Sequence, residues 1–505
     1  MLSFDDITNK FLEWLSEENV TISSKLVVKD LRKDNQGRGM VANEDIEEDE
    51  ELFSIPRETI INIDNCSLTK TNSKARDGLL SLNQWEALII VLLYELKVNG
   101  KSKWSAYFNT LPIKDTQNYK FNQLMFWSHE QLADLSPSLI IDRIGKDEAE
   151  AMYNKLFPKV VEDLNIPELF KVTLEEYHKV ASLIMSYSFD VERPEFNQVE
   201  DDEAEDDEEE DDEGDGTILN GNYYKSMVPL ADILNADTKL HNASLVYTPG
   251  VLVMKSVKPI KKGEQIYNTY SDHPNSEILR RYGYVETNGS ELDFGEIPLK
   301  TIKDYFINRL GLTSSLVQDT FVILDKIAED DEEENFAKIV LDSYDCFNDS
   351  QVILELIFII QILSIVALLY RSDSLDFSNS ESKSELISRV SKKCYQLIES
   401  KKLTKSFLEN YEGIMRSRIQ EYLVKIDCNS ETGIVKTRAE MAKVVLKSEC
   451  KSLKNCLDFE KVFSDEESSY KFIDDGKLIR NITKKRINGT DITDNNRKIK
   501  KNKLK

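Results

Sequence analysis

Hydrophobic positions near the start of the chain follow first a helical and then a strand-like spacing. Between Phe4 and Glu17 they recur every three or four residues, which predicts a short amphipathic helix. Four short apolar runs come next, separated by charged or turn-forming residues, as expected for β-strands. The runs are Lys25–Val28, Met40–Ala42, Glu51–Ile55 and Thr59–Ile63.

The spacing then becomes helical over a long stretch. Apolar residues recur with helical period from Leu82 to Leu96, and Asn83 followed by Glu86 predicts a capping box at the start of this helix. Helical patterning continues with breaks as far as about Tyr187. The sequence therefore predicts a helical block between two strand-rich regions.

Strand-like patterns return after this block. Leu245–Tyr247 and Val251–Val257 are joined by Thr248-Pro249-Gly250, which predicts a β-hairpin, and Gln265–Asn268 predicts a further strand. Beyond about Lys300 the pattern is helical again, as far as about residue 465.

The most apolar part of this C-terminal region, Val352 to Tyr370, is long enough to suggest a membrane span. Glu355, Gln361 and Ser364 interrupt it, and its flanks are ordinary polar sequence. We therefore expect a buried core helix instead.

Two segments are strongly biased in charge. Glu200 to Glu213 is acidic at every position except Ala204, and because such a run repels itself and has no apolar surface to bury, we expect a disordered loop over residues 199–216. A solvated insertion and an electrostatic attractor for a basic substrate both fit this loop. From Lys477 onward Lys and Arg far outnumber acidic residues, which predicts a disordered basic tail. Nuclear import, contact with ribosomal RNA and simple solubility are the interpretations of that tail.

Composition narrows the class of protein. A chain of 505 residues is too long for one hydrophobic core, so we expect about two or three domains. The net charge of −26 disfavours nonspecific nucleic-acid binding and suits a basic partner. The six cysteines lack CxxC spacing, so we expect neither a zinc site nor a disulfide framework, and a reducing compartment. The first residues lack the pattern of a signal peptide, so we expect none.

Three segments that lie far apart in the sequence carry candidate chemistry. The first is the turn Gln36-Gly37-Arg38-Gly39, whose glycines permit close approach to a ligand. The second runs from Met227 to Ala236 and is followed by His241-Asn242. The third runs from Gly263 to Tyr270 and continues to the tyrosines Tyr282 and Tyr284. Each alone is explained equally well by a turn or by core aromatics.

Taken together in this order, the three segments resemble the motifs of a SET domain. The helical block between the first two, and the helical C-terminal region, are similar to the subclass typified by Rubisco large-subunit methyltransferase. Within it, MVPLADILNAD and YNTYSDHPNSEILRRYGYVE look most like the fungal ribosomal lysine methyltransferases that modify a large-subunit ribosomal protein.

The resemblance implies an α+β fold and a division into domains. The SET domain of short strands and small sheets would span residues 24–286, after an N-terminal helix at 1–23, and its helical insertion would cover about 75–190. An all-α substrate-binding domain would follow at 300–460, and the basic tail would cover 465–505.

The resemblance also implies roles for particular residues, with S-adenosylmethionine as cofactor and no metal. Tyr270 would be the catalytic tyrosine and Tyr282 would line the lysine channel. Tyr187 and Asp232 would contact the substrate peptide, although Asp232 could equally cap a helix and Tyr187 could be a core residue. We expect His241 to make a local hydrogen bond. The cofactor would be held by Gln36, Gly37, Arg38, Gly39, Asn235, Ala236 and Tyr270.

One motif position departs from the family. The family usually has Asn-His where this chain has Asn235-Ala236. That pair chiefly holds the adenine through backbone groups, and alanine keeps the backbone donor and acceptor, so we expect binding to persist.

The chemistry suits these residue types. Methyl transfer needs a neutral lysine amine, and a free lysine has a pKa of about 10.4. An apolar, aromatic channel disfavours the charged ammonium, and alignment of the amine with the methyl group supplies most of the catalysis. Tyrosine hydroxyls and backbone carbonyls can orient the amine and contact the methyl group.

We therefore expect a protein-lysine N-methyltransferase that acts on a basic, large-subunit ribosomal protein. We expect a monomer in the nucleus or the cytoplasm, with no specific nucleic acid and no membrane among its partners. Two alternatives stay open: a lysine methyltransferase for histones or other nuclear proteins, and a catalytically silent SET module that binds lysine-rich proteins.

Overall fold

The computed structural model describes residues 3–34, 36–114, 120–193, 218, 221–269, 272–329, 338–372, 380–426, 437–463 and 469–483. The chain forms two units. The first comprises Met1–Asp293 and Tyr422–Glu449, and the second comprises Phe294–Glu421 and Cys450–Lys505. The sequence placed residues 422–449 with the C-terminal helical region, whereas they pack with the first unit.

The first unit combines short strands with many helices. Its helices are α1 (Phe4–Glu17), α2 (Ser67–Thr71), α3 (Ser73–Leu80), α4 (Gln84–Val98), α5 (Ser105–Phe108), α6 (His129–Leu132), α7 (Lys146–Lys155), α8 (Phe157–Asp163), α9 (Leu174–Tyr187) and α10 (Asn275–Tyr282). Its strands are β1 (Thr21–Ile22), β2 (Leu26–Asp30), β3 (Arg38–Ala42), β4 (Glu51–Pro56), β5 (Ser188–Glu192), β6 (Tyr223–Met227), β7 (Asn235–Ala236), β8 (Ala243–Tyr247), β9 (Val251–Ser256) and β10 (Gln265–Asn268). The predicted α+β fold class is confirmed.

Two four-stranded sheets organise this unit. One has the order β1-β4-β9-β8 and is antiparallel throughout. The other has the order β2-β3-β10-β7, in which β10 pairs antiparallel with β3 and parallel with β7. The second sheet brings together strands that are more than two hundred residues apart in sequence, as Gln265 pairs with Val41. This long-range pairing positions the candidate site.

The helical insertion packs around α4. Asn83 caps this helix by accepting a hydrogen bond from the Glu86 amide at 2.9 Å, which is half of the predicted capping box. Residues 87–93 are buried without a break, so α4 is apolar on every side and lies in the core rather than at its surface.

The second unit is largely helical. Its elements are β11 (Phe294–Pro298), α11 (Leu299–Asp304), α12 (Ser314–Glu329), β12 (Ser343–Phe347), α13 (Leu354–Arg371), α14 (Ser380–Glu399), β13 (Lys402–Thr404), α15 (Lys405–Lys425), α16 (Arg438–Asn455), α17 (Phe459–Val462), β14 (Lys471–Ile473) and α18 (Asp475–Thr483). A π-helical turn at Tyr305–Arg309 follows α11. The residues of α15 and α16 divide between the two units. The pairs β11–β12 and β13–β14 form two-stranded sheets that the helical pattern did not predict.

The apolar helix α13 lies in the core of the second unit. Among the described residues it is the helix long and apolar enough to cross a membrane, and 72% of it is buried inside the protein. Its polar positions are satisfied there: Gln361 bonds the backbone and side chain of Thr404, and Ser364 accepts from Asn410 at 2.8 Å. These contacts agree with the predicted core helix.

Two local predictions were wrong. Residues 59–63 do not form a strand, because a 3-10 turn at Arg57–Thr59 follows Pro56, and the Asn62 side chain then accepts from the amides of Asp64 and Asn65. The basic tail was placed too early, since β14 and α18 lie within it and bury Leu478 and Ile482. The acidic run and residues 484–505 lie outside the described residues.

Candidate active site

The sheet β2-β3-β10-β7 brings the three candidate segments side by side. The turn Gln36–Gly39 leads into β3, the second segment contains β7, and the third contains β10. Tyr267 pairs with Asn235, and Asn268 pairs with Ala236. β7 is the edge strand, so the backbone groups on its outer side are not used by the sheet and are free to bind a ligand.

The turn Gln36–Gly39 is held at both ends. The Leu31 amide donates to the Gly37 carbonyl at 2.8 Å, and the Gln36 amide donates to the Leu31 carbonyl at 3.1 Å. Gly37 has φ +66°, a conformation that glycine adopts without strain. The Gln36 side chain donates to the hydroxyl of Tyr267 at 3.4 Å, which links the first segment to the third.

Gly39 marks the place where the three segments come closest. A Cβ atom at Gly39 would overlap Leu31 Cδ1 and would lie 2.9 Å from Asn235 Nδ2 and 3.0 Å from Gln265 Nε2. The Asn235 amide also donates to the Arg38 carbonyl at 3.2 Å. The close approach of these strands therefore depends on glycine at this position.

Arg38 uses its side chain away from the sheet. Its Nε donates to Thr8 Oγ1 at 3.0 Å, and its Nη1 donates to the Thr110 carbonyl at 3.1 Å. The Phe4 ring lies between two guanidinium groups, 4.1 Å from that of Arg38 and 4.0 Å from that of Arg32. Only the backbone of Arg38 therefore faces the ligand side of the turn, and α1 is attached to the turn through cation–π contacts.

Sequence reasoning did not assign a role to Asn242, which orders the third segment. Its side chain accepts from the Tyr267 amide at 2.9 Å and donates to the Gln265 carbonyl at 2.9 Å, and its amide donates to the Tyr267 carbonyl at 3.0 Å. The available signal was the position of Asn242 shortly after the second segment, and its burial is visible only in the structure. His241, by contrast, lies within 3.3 Å of the Thr238 carbonyl, a local contact of the kind expected.

Asp232 lies on a 3-10 helix, Ala231–Ile233, that leads into β7 and contacts β3. The carboxyl group is fully buried, and burial raises the pKa of Asp232 to about 7. One oxygen accepts a hydrogen bond from the hydroxyl of Tyr107, and the other, Oδ1, has no partner among the described residues. Asp232 therefore does not cap a helix.

The predicted substrate-side tyrosines lie at the ends of two helices. Tyr187 ends α9 and is packed against the core. It lies near Tyr107, whose pKa is raised mainly by burial, then by Asp232 and least by Tyr187. Tyr282 ends α10 and lies between the rings of His273 and Tyr284, with ring centroids 6.3 Å from each. The two helices meet where Ser186 donates to the Arg281 carbonyl at 2.8 Å. Tyr270 lies outside the described residues.

The arrangement can hold a flat, polar ligand with an adjoining reactive group. Gln265 Nε2 is buried without a hydrogen-bond partner among the described residues, and it lies beside Gly39 of the turn. An unsatisfied buried donor is costly and is relieved by a ligand acceptor. The residues present therefore fit a nucleoside-type cofactor. Gln36–Gly39 and the edge of β7 would line it.

Comparison with known proteins agrees with this geometry. The family model described as the SET domain matches residues 37–271, which run from Gly37 of the first segment past Tyr270 of the third, so fold and site define a SET-domain protein. Ribosomal lysine N-methyltransferase 4 of Saccharomyces cerevisiae is 37% identical over 501 residues, which cover 96% of this chain and 97% of that protein. The chain belongs to the SET-domain protein-lysine methyltransferases.

A second relative matches about half of the chain, and a solved structure matches nearly all of it. N-lysine methyltransferase setd6 of Danio rerio is 37% identical over 288 residues, which are 55% of this chain and 56% of that protein. The structure of Rubisco LSMT bound to sinefungin and monomethyllysine has a TM-score of 0.57, is 18% identical, and covers 96% of both chains. At that identity the structural likeness shows the shared fold.

Proposed function

We propose that the protein transfers methyl groups from S-adenosylmethionine to a lysine of a large-subunit ribosomal protein, acting as a monomer. The observation that carries this proposal is the sheet β2-β3-β10-β7, which joins the three SET motifs at Gly39. The relative from Saccharomyces cerevisiae, similar over nearly its whole length, is named for ribosomal lysine methylation. When bound, S-adenosylmethionine supplies an electrophilic methyl group.

In this proposal one group of residues binds the cofactor and a second group contacts the substrate. Gln36, Gly37, Gly39 and the backbone of Arg38 line one end together with Asn235 and Ala236. Ala236 contributes through its backbone, so the missing histidine side chain leaves the edge of β7 intact. Tyr187, Asp232 and Tyr282 lie on the substrate side. Tyr270, two residues beyond the end of β10, is the proposed catalytic tyrosine.

The role of Tyr270 is tested by removing one oxygen atom. Tyr270→Phe should lower turnover more than a hundredfold, since a positioned hydroxyl contributes in this range, and should leave the affinity for S-adenosylmethionine nearly unchanged. Tyr284→Phe, from the same segment, is the matched control and should retain turnover. Near-normal turnover of Tyr270→Phe on the ribosomal substrate would show that the assignment is wrong.

The substrate proposal is tested by offering labelled S-adenosylmethionine with large ribosomal subunits, small subunits and core histones in parallel. The large subunits should come from cells that lack the protein, so that the target lysine is unmodified. We expect label in one large-subunit protein. Label in histones alone would assign a chromatin substrate, and no label despite cofactor binding would indicate a silent binding module.

We propose that the second unit, within residues 300–460, presents the substrate.

We also propose that the basic tail directs the protein to the nucleus. Lys484-Lys485-Arg486 and the basic run from Arg497 to Lys501 support nuclear import. Removing residues 484–505 from a fluorescent fusion should shift it to the cytoplasm, and an unchanged nuclear signal would exclude this role.

A further inference from the structure

The carboxyl group of Asp232 has one side-chain hydrogen-bond donor among the described residues. Tyr107 donates its hydroxyl to one carboxyl oxygen, while Oδ1 is buried and has no partner among the described residues. A buried carboxylate oxygen without a donor costs free energy, because it has lost water and gained nothing in return. Such a group is retained where a ligand supplies the missing donor.

Tyr107 cannot move to relieve this imbalance. Its side chain is completely buried, and its ring packs against Phe108, Phe11 and Trp14 with centroid separations of 5.9, 6.1 and 6.5 Å. Its hydroxyl is therefore a fixed point that sets the orientation of the carboxyl group.

The surroundings of the pair place it on the substrate side of the site. Asp232 is three residues before Asn235, on the turn that contacts β3. Tyr187, at the end of α9, lies near Tyr107. The pair thus has neighbours both in the sheet proposed to hold the cofactor and in a tyrosine proposed to contact the peptide.

We infer that Tyr107 is a positioning residue: it fixes Asp232 so that Oδ1 accepts a hydrogen bond from an N–H group of the lysine-bearing peptide. This inference rests on the proposed function, and adds to it a residue from α5 that lies outside the three motifs. The helix α5 thereby takes part in substrate binding without touching the substrate.

Because Asp232 can gain or lose a proton, substrate binding by the pair of Tyr107 and Asp232 should depend on pH. The ionisable side chain in contact with the carboxyl is that of Tyr107 from α5, and Tyr187 from α9 lies near Tyr107. Arg38 is on β3, which the Asp232 turn contacts, but its guanidinium is bonded to Thr8 and the Thr110 carbonyl. Burial raises the pKa of Asp232 to about 7, against the opposing effect of hydrogen bonds from Tyr107 and from the backbone amides of Asp232 and Leu230. The carboxylate, which accepts better, forms as pH rises through this value, so kcat/KM should rise there.

The test compares Tyr107→Phe with Tyr153→Phe, which removes a hydroxyl that donates to the Val172 carbonyl at 2.8 Å. Tyr107→Phe should raise KM for the ribosomal substrate about tenfold, the value of one hydrogen bond to a charged group, with little change in kcat. Its kcat/KM profile should also shift to higher pH, because the carboxylate has lost a stabilising donor. Tyr153→Phe should leave both unchanged.

Asp232→Asn supplies the second variant, since its side chain has no charge at any pH. The kcat/KM profile of this variant should show no rise near pH 7. A Tyr107→Phe profile that superimposes on the wild type, or a rise near pH 7 that survives in Asp232→Asn, would overturn the inference.

A measurement without turnover separates this inference from the proposed function. Because folding raises the pKa of Asp232 from 3.8 to about 7, its contribution to stability is fully present below the lower value and is lost as pH rises through the higher one. The wild type should therefore lose stability relative to Asp232→Asn between these values, and Tyr107→Phe should extend the loss to higher pH. If no ribosomal protein is methylated but the unfolding free energies depend on pH as described, the proposed substrate is wrong and the coupling between Tyr107 and Asp232 is supported. Unfolding free energies that differ among the three proteins by the same amount at every pH would contradict that coupling.

Discussion

A side chain at position 39 would meet Leu31, Asn235 and Gln265 at once. All three are far ends of side chains, so they can move, but moving Asn235 breaks its hydrogen bond to the Arg38 carbonyl. The effect of a methyl group there should fall on ligand binding more than on folding. At the residue scale, Gly39 is therefore the position at which the three motifs depend on one another.

Gly39→Ala should weaken binding of S-adenosylmethionine by about tenfold or more, equal to about 1.4 kcal/mol, as measured by titration calorimetry. Gly250→Ala is the matched control, because a Cβ there meets no atom within 4 Å and the backbone has an ordinary φ. If both variants bind as the wild type does, Gly39 does not border the cofactor.

The turn Gln36–Gly39 and the position of Asp232 show what could be predicted at this scale. The turn was recognisable because glycines at fixed spacing are visible in one segment. The partner of Asp232 was not, because Tyr107 is 125 residues away and only tertiary packing brings them together. The buried, half-satisfied carboxyl likewise has no signature in sequence.

The helix α1 is the element whose role the structure adds. Its amphipathic pattern predicted the helix, which buries Phe11, Trp14 and Leu15. Nothing in that pattern predicted that Phe4 and Thr8 would hold the side chains of Arg32 and Arg38 beside the turn Gln36–Gly39. Contacts of this kind depend on how α1 packs against β2 and β3, which hydrophobic spacing does not encode.

Phe4→Ala should raise the dissociation constant of S-adenosylmethionine severalfold, because two cation–π contacts of about 0.5–1 kcal/mol each no longer hold the turn. Fluorescence or calorimetric titration measures this. Phe170→Ala removes the same side chain from an exposed position in the first unit and should have no effect. Equal affinities for the two variants would mean that α1 stabilises the fold alone.

At the scale of the whole molecule, the chain returns to the first unit after leaving it. Residues 422–449 pack there, and Met441, Ala442 and Val445 join a core with Leu124, Trp127, Leu135, Ile140 and Leu279. The sequence showed helices in this region but not which unit they complete. Helical periodicity identifies which face of a helix is buried, but it does not show which element that face packs against.

Arg438 attaches residues 422–449 to the rest of the first unit through hydrogen bonds. Its guanidinium donates to the carbonyls of Phe121 and Phe126 at 2.8 Å and to Gln131 at 2.7 Å. Arg438→Ala should lower the free energy of unfolding by about 2 kcal/mol, since buried acceptors lose a charged donor. Urea unfolding followed by tryptophan fluorescence reports this, because Trp127 lies 5.7 Å from the guanidinium.

Arg416→Ala is the comparison for this change. Arg416 is largely exposed and pairs with Glu412 one turn away, so its loss should cost less than about 0.5 kcal/mol. Similar losses in the two variants would show that the return of the chain does not depend on Arg438.

We propose that three separated segments form one cofactor site on the sheet β2-β3-β10-β7. Hydrogen–deuterium exchange with and without S-adenosylmethionine tests it most directly, because protection reports which backbone amides the ligand orders. We predict protection in peptides that contain residues 36–42, 235–242 and 265–269, and unchanged exchange in β1, β4 and β8 of the other sheet. Binding that leaves these three peptides unprotected, or that protects only one of them, would contradict the account.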